Sequence, residues 1–171
     1  MLVAMAIGLA AAAQACPIER TQYRLRGAPN VSAGFTKQRF QINYTSMLFV
    51  WVRTADGRRW WFSMNSPNGY GGVFLAPDVD PTRIVRADRE KERADPPENP
   101  ISVDFDSFDA AYDHIDGPPQ IGDAPPAHLF ARGLGPLFWY NPVGAANGDK
   151  SAKAASVPIA MFDIAGCAAR P

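Results

Sequence analysis

Hydrophobic and polar residues alternate over several short segments of the chain, which is the pattern of strands that are buried on one side. The segments that predict strands are 21–26, around 39–44, 73–76, 101–105 and 157–164. Glycine and proline residues separate them, and the cluster at 27–30 predicts a turn. This arrangement predicts a mainly β protein.

The strongest local pattern lies between Met47 and Met64, where two runs of β-branched and aromatic residues flank Asp56-Gly57. An Asp-Gly pair between two such runs is typical of a hairpin with a two-residue type I′ loop. A turn centred on this pair predicts the cross-strand pairs Arg53–Trp60, Val52–Trp61, Trp51–Phe62 and Phe49–Met64.

Residues that oppose each other across a hairpin share a face, so this register makes both faces of the hairpin apolar. One face carries Phe49, Trp51, Trp60, Phe62 and Met64, and the other carries Leu48, Val50, Val52 and Trp61. Because such a hairpin cannot be an exposed edge, we expect an antiparallel sandwich or barrel-like sheet with hairpin 47–64 at its centre. We also expect one or two short helices. One of them would carry Phe108, Ala111 and Tyr112 along one side.

Composition agrees with a single folded domain. The chain has 171 residues, of which 47% are hydrophobic and 20% are charged, close to ordinary globular values. The 16 prolines and 14 glycines predict many turns, long Pro/Gly-rich loops and little long helix.

The first fifteen residues resemble a cleavable signal peptide. The apolar run 2–13 is shorter than the roughly 20 residues that span a bilayer, and it ends in the small-x-small motif Ala13-Gln14-Ala15. We therefore expect residues 1–15 to be removed and residues 16–171 to form one exported domain without a transmembrane span. The leader and the Ala/Arg/Pro-rich composition indicate a bacterial periplasmic or extracellular protein; the alternative is a buried N-terminal helix.

The chain has two cysteines, Cys16 and Cys167, and two cysteines in an exported chain suggest one disulfide. A cysteine directly after a cleavage site is also where bacterial lipoproteins carry their lipid anchor, so lipidation of Cys16 is a second interpretation. The polar Gln14 fits that lipoprotein signal poorly, and lipidation would leave Cys167 as a free thiol.

The charge balance limits the class of partner. Lysine plus arginine and aspartate plus glutamate number 17 each, and this net charge of zero argues against a nucleic acid as partner. The sequence contains no Gly-x-Ser-x-Gly motif, no EF-hand pattern and no clustered Cys/His set, so we expect no cofactor and no metal.

Aromatic and amide side chains at the end of the hairpin are the candidate binding residues: Trp61, Asn65, Asn68 and Tyr70, with the loop 65–72 as the surface. Flat aromatic rings can take the apolar face of a sugar or a peptide, while amides bind hydroxyl groups. The leading hypothesis is therefore a non-enzymatic binding or envelope-associated module for a cell-wall glycan, a peptide or an envelope protein. Aromatic residues in a central hairpin are also common core residues.

The alternative hypothesis is a periplasmic or secreted hydrolase. It would use His114 or His128 with nearby aspartates for acid–base chemistry, since histidine titrates close to neutral pH.

Overall fold

The described part of the chain folds into a closed antiparallel barrel of eight strands with two short helices. The structure is a computed structural model that describes residues 16–38, 45–67, 72–83 and 101–169. The strands are β1 (Thr21–Leu25), β2 (Ala28–Lys37), β3 (Leu48–Arg53), β4 (Arg59–Asn65), β5 (Val73–Asp78), β6 (Val103–Phe108), β7 (His128–Phe130) and β8 (Phe162–Cys167). The helices are α1 (Leu134–Tyr140) and α2 (Pro142–Ala145), and a 3-10 turn at Ile18–Arg20 precedes β1. The prediction of a mainly β, barrel-like antiparallel sheet is confirmed.

Each strand pairs with the next strand along the chain, and β8 pairs with β1 to close the barrel. Closure removes the open edges that a sheet of eight strands would otherwise present. The hairpin of β3 and β4 lies between β2 and β5, and every strand of the barrel has two neighbours.

The predicted register of the hairpin is wrong by one residue. Val52 pairs with Trp60, and Trp51 pairs with Trp61, so the two strands are offset by one position relative to the expectation. Arg53 is opposite Arg59 instead of Trp60.

The loop of the hairpin explains the correction, because it contains three residues instead of two. The Thr54 amide donates to the Arg58 carbonyl at 3.0 Å, and the Gly57 amide donates to the Thr54 carbonyl at 2.9 Å. Gly57 has a φ of 85°, which is the left-handed conformation required at the last position of a three-residue hairpin loop. Asp56 stabilises the loop by accepting from the Thr54 hydroxyl at 2.6 Å and from the Arg58 amide at 3.1 Å.

A shift of one residue moves a strand's alternate side chains to the other face of a sheet. In the observed register the inward residues of the hairpin are uniformly apolar, and all of them are buried: Leu48, Val50, Val52, Trp60, Phe62 and Met64. The outward positions include Trp51, Arg53, Arg59 and Trp61. The predicted grouping of Trp51 with Trp60 on one face is therefore also wrong.

Large side chains fill the barrel, as expected for eight strands. Tyr23, Phe35, Trp60 and Phe62 are all at most 1% exposed, and they belong to the same buried cluster. The helix α1 covers the barrel through Phe138, whose ring stacks on Trp60 at 4.5 Å between centroids. Burial raises the pKa of Tyr23, whose hydroxyl donates to the Pro126 carbonyl at 2.9 Å.

A disulfide joins Cys16 to Cys167, with 5.7 Å between the two Cα atoms. The predicted pairing is confirmed, and a lipid on the sulfur of Cys16 is incompatible with it. The bond holds the ends of β1 and β8 together across a sequence separation of 151 residues. In the chain-entropy description, closing so long a loop stabilises the fold by roughly 4–5 kcal/mol.

Several other boundaries differ from the predictions. Only Arg26 and Gly27 form the turn that was expected at 27–30, because Ala28 already belongs to β2. Phe108 ends β6, and Tyr112 has a φ of 67°, so residues 108–112 do not form a helix. The last strand covers Phe162–Cys167 instead of 157–164, since this segment pairs with β1.

The predicted leader 1–15 and the strand expected around 39–44 lie outside the described residues. In the described part of the chain, no helix is long and apolar enough to cross a membrane.

Candidate functional site

Outward side chains of β1 to β4 form two adjacent rows across the barrel. The strand pairing places Arg24, Ser32, Arg53 and Arg59 in one row. It places Gln22, Gly34, Trp51 and Trp61 in the next. We call these eight residues the Arg–Trp face.

Arg59 lies over both tryptophans of the face. Its guanidinium carbon is 4.8 Å from the ring centroid of Trp51 and 5.5 Å from that of Trp61. Both distances are within the range of a cation–π interaction, which is worth about 0.5–1 kcal/mol at exposed sites. Because the rings are directly opposite each other on neighbouring strands, they form one platform that fixes the position of the Arg59 head group.

Gly34 lets the platform lie against the sheet. A Cβ atom at this position would be 2.6 Å from Cζ2 of Trp51 and 2.9 Å from the carbonyl oxygen of Thr21. Trp51 therefore packs on the backbone of β2 at Gly34, and the Arg59 guanidinium lies over the same ring. This packing also serves stability, because an aromatic ring that covers a glycine compensates for its missing side chain.

Arg53 and Arg59 have no acidic partner in the described part of the chain. Neither side chain forms an ion pair or donates a hydrogen bond to another described residue, although the two arginines are directly opposite each other. Two like charges in this position are destabilising. The neighbouring arginines differ: Arg58 lies 3.8 Å from Asp149, and Arg83 lies 3.6 Å from Asp80.

A groove of about 360 Å³ runs along this surface. Most of its lining residues are polar or charged: Gln22, Arg24, Asn30, Ser32, Arg53, Thr54 and Arg59 line it together with Trp51 and three others. A second groove of about 440 Å³ adjoins it and shares Arg53 and Arg59 with it. The face therefore offers hydrogen-bond donors and positive charge to a small polar ligand.

Two of the four residues predicted for binding lie in the described part of the chain. Trp61 lies in the Arg–Trp face, and Asn65 ends β4, where it pairs with Phe74. Asn68 and Tyr70 lie outside the described residues, so their part of the predicted surface is not described.

His128 belongs to a different cluster, on the outer side of the barrel at β1, β7 and β8. Its Nδ1 is 2.7 Å from Oδ1 of Asp163, and its ring stacks on Tyr112 with 4.2 Å between centroids. Arg26 donates to both carboxylate oxygens of Asp163 at 2.9 and 2.8 Å and to the Tyr112 hydroxyl at 3.0 Å. We call Arg26, Tyr112, His128 and Asp163 the clasp.

The clasp is satisfied internally. The hydrogen bond from Arg26 holds the pKa of Asp163 below its usual value, and the hydrogen bond to His128 acts in the same direction. Among the described residues, no hydroxyl or thiol lies within hydrogen-bond distance of the His128 ring. The clasp thus contains an Asp–His pair without a described nucleophile.

His114 is exposed and contacts two carboxylates. Its Nδ1 is 3.2 Å from Asp116, its Nε2 is 3.5 Å from Asp106, and its ring meets Phe108 edge-on at 5.7 Å. Within the described ranges, no group of three or more His, Cys, Asp or Glu side chains is placed to hold a metal ion.

Sequence reasoning missed Arg53 and Arg59 as a pair, because the predicted register placed Arg53 opposite Trp60. A signal was present: only the observed register puts Arg53, Arg59 and Ser63 on one face and leaves the other face apolar. The clasp could not be predicted, since Arg26 and Asp163 are 137 positions apart.

Comparison with known proteins adds no assignment to this geometry: no protein-family model, no curated protein and no solved structure matches the chain.

Proposed function

We propose that the protein is an exported, non-enzymatic binding module that holds an anionic group at the Arg–Trp face. The observation that carries the proposal is the direct opposition of Arg53 and Arg59 without an acidic partner among the described residues. An anion that bridges two such guanidinium groups recovers the free energy lost to their mutual repulsion, and arginine is well suited to bidentate binding of oxyanions.

The location rests on two supports. Segment 1–15 has the short apolar run and the small-x-small motif of a signal peptide, and the Cys16–Cys167 disulfide is of the kind that persists in oxidising compartments. The partners expected from the sequence, a cell-wall glycan, a peptide or an envelope protein, include classes that carry carboxylate or phosphate groups. The overall neutral charge is compatible with such a site, because the positive charge is local to the face.

Binding of simple probes tests the proposal. Wild-type protein is titrated with hexaglutamate, trigalacturonate and glycerol 3-phosphate, with uncharged maltotriose as the neutral probe. Isothermal titration calorimetry measures the affinity for each probe. We expect at least one anionic probe to bind and maltotriose to bind more weakly.

Charge removal at the face provides the matched comparison. The double variant Arg53→Gln/Arg59→Gln should lose binding by about tenfold or more, because hydrogen bonds to charged groups contribute about 1.5–3 kcal/mol each. Arg132→Gln is the control, since Arg132 is exposed and lies outside the face. The proposal fails if no anionic probe binds the wild type, or if the double variant binds as well as the control.

The same titration covers the loop 65–72. If Asn68→Ala and Tyr70→Ala weaken the probe and the arginine substitutions do not, the binding surface is the loop and not the Arg–Trp face.

The alternative function is a hydrolase. One observation supports it, the 2.7 Å contact between His128 and Asp163. The two functions differ in a direct way, because a hydrolase would release products from the glycan or peptide probe during the titration. Product analysis of the same samples by mass spectrometry therefore separates them.

A further inference from the structure

We infer that the anion bound at the Arg–Trp face is a phosphomonoester, held by Arg53 and Arg59 together. The inference rests on the proposed function and names its ligand class. It depends on how the two guanidinium groups are presented and on the chemistry of the groove beside them.

The tryptophans of the face are poor platforms for a ligand ring. Trp51 packs on the backbone at Gly34, and Arg59 lies over its ring. Arg59 also lies over Trp61. Stacking of a sugar or an aromatic ring would have to displace Arg59, so these rings serve to hold the arginine.

A guanidinium that stacks on an aromatic ring uses its flat face and keeps the N–H groups of its edge for hydrogen bonds in the ring plane. The two rings hold Arg59 in place, and no described residue accepts a hydrogen bond from its guanidinium group. Little side-chain entropy is lost when such a preorganised group binds a ligand.

Arg53 supplies a second cation at the same point. Directly opposed residues on neighbouring antiparallel strands have Cβ atoms about 4.5–5.5 Å apart, so both guanidinium groups can reach one compact anion. A carboxylate has one charge and two oxygens, which a single arginine satisfies. A phosphomonoester has a charge of about −1.5 to −2 at neutral pH and three acceptor oxygens, which match two arginines.

The groove beside the arginines is suited to the polar alcohol that carries the phosphate. Ser32 is opposite Arg53, and Asn30 and Gln22 also line the groove of about 360 Å³. This volume is at the small end of the range for ligand pockets, about 300–1,000 Å³. Hydroxyl and amide groups in a groove of this size favour a small hydroxylated body over a long apolar chain.

The decisive comparison is between a phosphomonoester and a phosphodiester. Wild-type protein is titrated at constant ionic strength with glycerol 3-phosphate, dimethyl phosphate and acetate, at a pH above the second ionisation of the monoester. We expect glycerol 3-phosphate to bind at least about tenfold more tightly than the two monoanions, because its higher charge and third free oxygen give the two arginines more to bind.

Conservative variants separate geometry from charge. Arg59→Lys keeps the charge and loses the planar fork, so the preference for glycerol 3-phosphate should fall by about tenfold, as in Arg53→Gln. Arg132→Gln should leave it unchanged. Circular dichroism and thermal unfolding of each variant confirm that the fold is retained.

Vesicles distinguish the source of the phosphate. Sedimentation with phosphatidylcholine vesicles containing phosphatidic acid, a lipid phosphomonoester, is compared with vesicles containing phosphatidylglycerol, a phosphodiester. Selective sedimentation with phosphatidic acid identifies a lipid headgroup, and binding of glycerol 3-phosphate alone identifies a soluble ligand; both support the inference.

The inference is overturned if dimethyl phosphate or acetate binds as tightly as glycerol 3-phosphate, or if Arg59→Lys retains the full preference. Its failure is distinguishable from failure of the proposed function. Binding of hexaglutamate or trigalacturonate without glycerol 3-phosphate would leave the anion-binding module intact, whereas no binding of any anionic probe removes both.

Discussion

The Arg–Trp face and the clasp each combine arginine with aromatic side chains on the outside of the same barrel, yet they differ in one component. In the clasp, Arg26 finds both oxygens of Asp163 within 2.9 Å, and His128 shares that carboxylate. In the Arg–Trp face, the Arg59 guanidinium lies over two aromatic rings and has no carboxylate partner among the described residues.

The role of an arginine therefore depends on whether the chain itself supplies a counter-ion for it. A guanidinium with its own bidentate carboxylate has its hydrogen-bonding capacity filled, and it joins strands β1 and β8. A guanidinium held by rings keeps that capacity for a molecule outside the chain. Three substitutions test this comparison.

The largest effect is expected from Gly34→Ala, which breaks the face. The new methyl group would overlap the Trp51 ring and approach the Thr21 carbonyl, and overpacking of this kind costs about 1–3 kcal/mol of unfolding free energy. Chemical denaturation measures the loss. Gly72→Ala is the control, because a Cβ there meets no atom within 4 Å; an equal loss in both variants would contradict the packing argument.

Asp163→Asn breaks the clasp and should have an intermediate effect, a loss of about 0.5–1 kcal/mol at neutral pH, since the pair is partly exposed. The pKa of Asp163 is lower in the folded protein than its unfolded value of about 3.9. The contribution is therefore present above about pH 4 and disappears as the pH falls through the folded pKa.

Urea denaturation across this pH range measures the difference between wild type and Asp163→Asn. It should be constant near neutrality and shrink in acid. Asp104→Asn, at an exposed position on β6, is the control for removal of a carboxylate. A difference that stays constant down to strong acid would show that ionisation of Asp163 does not stabilise the fold.

The smallest effect is expected from Arg53→Gln, which removes one of two opposed like charges. Its unfolding free energy should rise by about 0.3 kcal/mol at low salt, and the gain should decrease as added salt screens the repulsion. Denaturation at two ionic strengths checks this, with Arg132→Gln as reference. A destabilised variant would mean that Arg53 has a favourable interaction in the free protein.

The class of fold was predictable because strand alternation and two cysteines are local or compositional signals. The individual strands were less so. The residues Ala28, Pro29 and Asn30 are typical of a turn, but they begin β2, and Ala28 pairs with Leu25 of β1 against its local preference. The three-residue strand β7 is too short to show any alternation.

The helix α1 was not predicted, because its sequence ends in an aromatic run. Its buried residues Leu134, Leu137 and Phe138 follow the helical spacing of three and four, and Trp139 and Tyr140 are exposed. The candidate site depended on a finer property, the register of the hairpin. An Asp-Gly pair fits two hairpin loop lengths, which differ by one residue. The loop length decides whether Arg59 is opposite Arg53 or another residue.

The seam between β1 and β8 also bears on how the barrel avoids self-association. These strands belong to opposite ends of the described chain, and contacts over such sequence separations form slowly. Until they form, β1 and β8 each offer an unpaired edge to other chains, the usual starting point of intermolecular sheets. Once closed, the seam is held by the disulfide at its end. Any reopening there exposes two edges that remain tethered and can re-pair with each other sooner than with a neighbouring molecule.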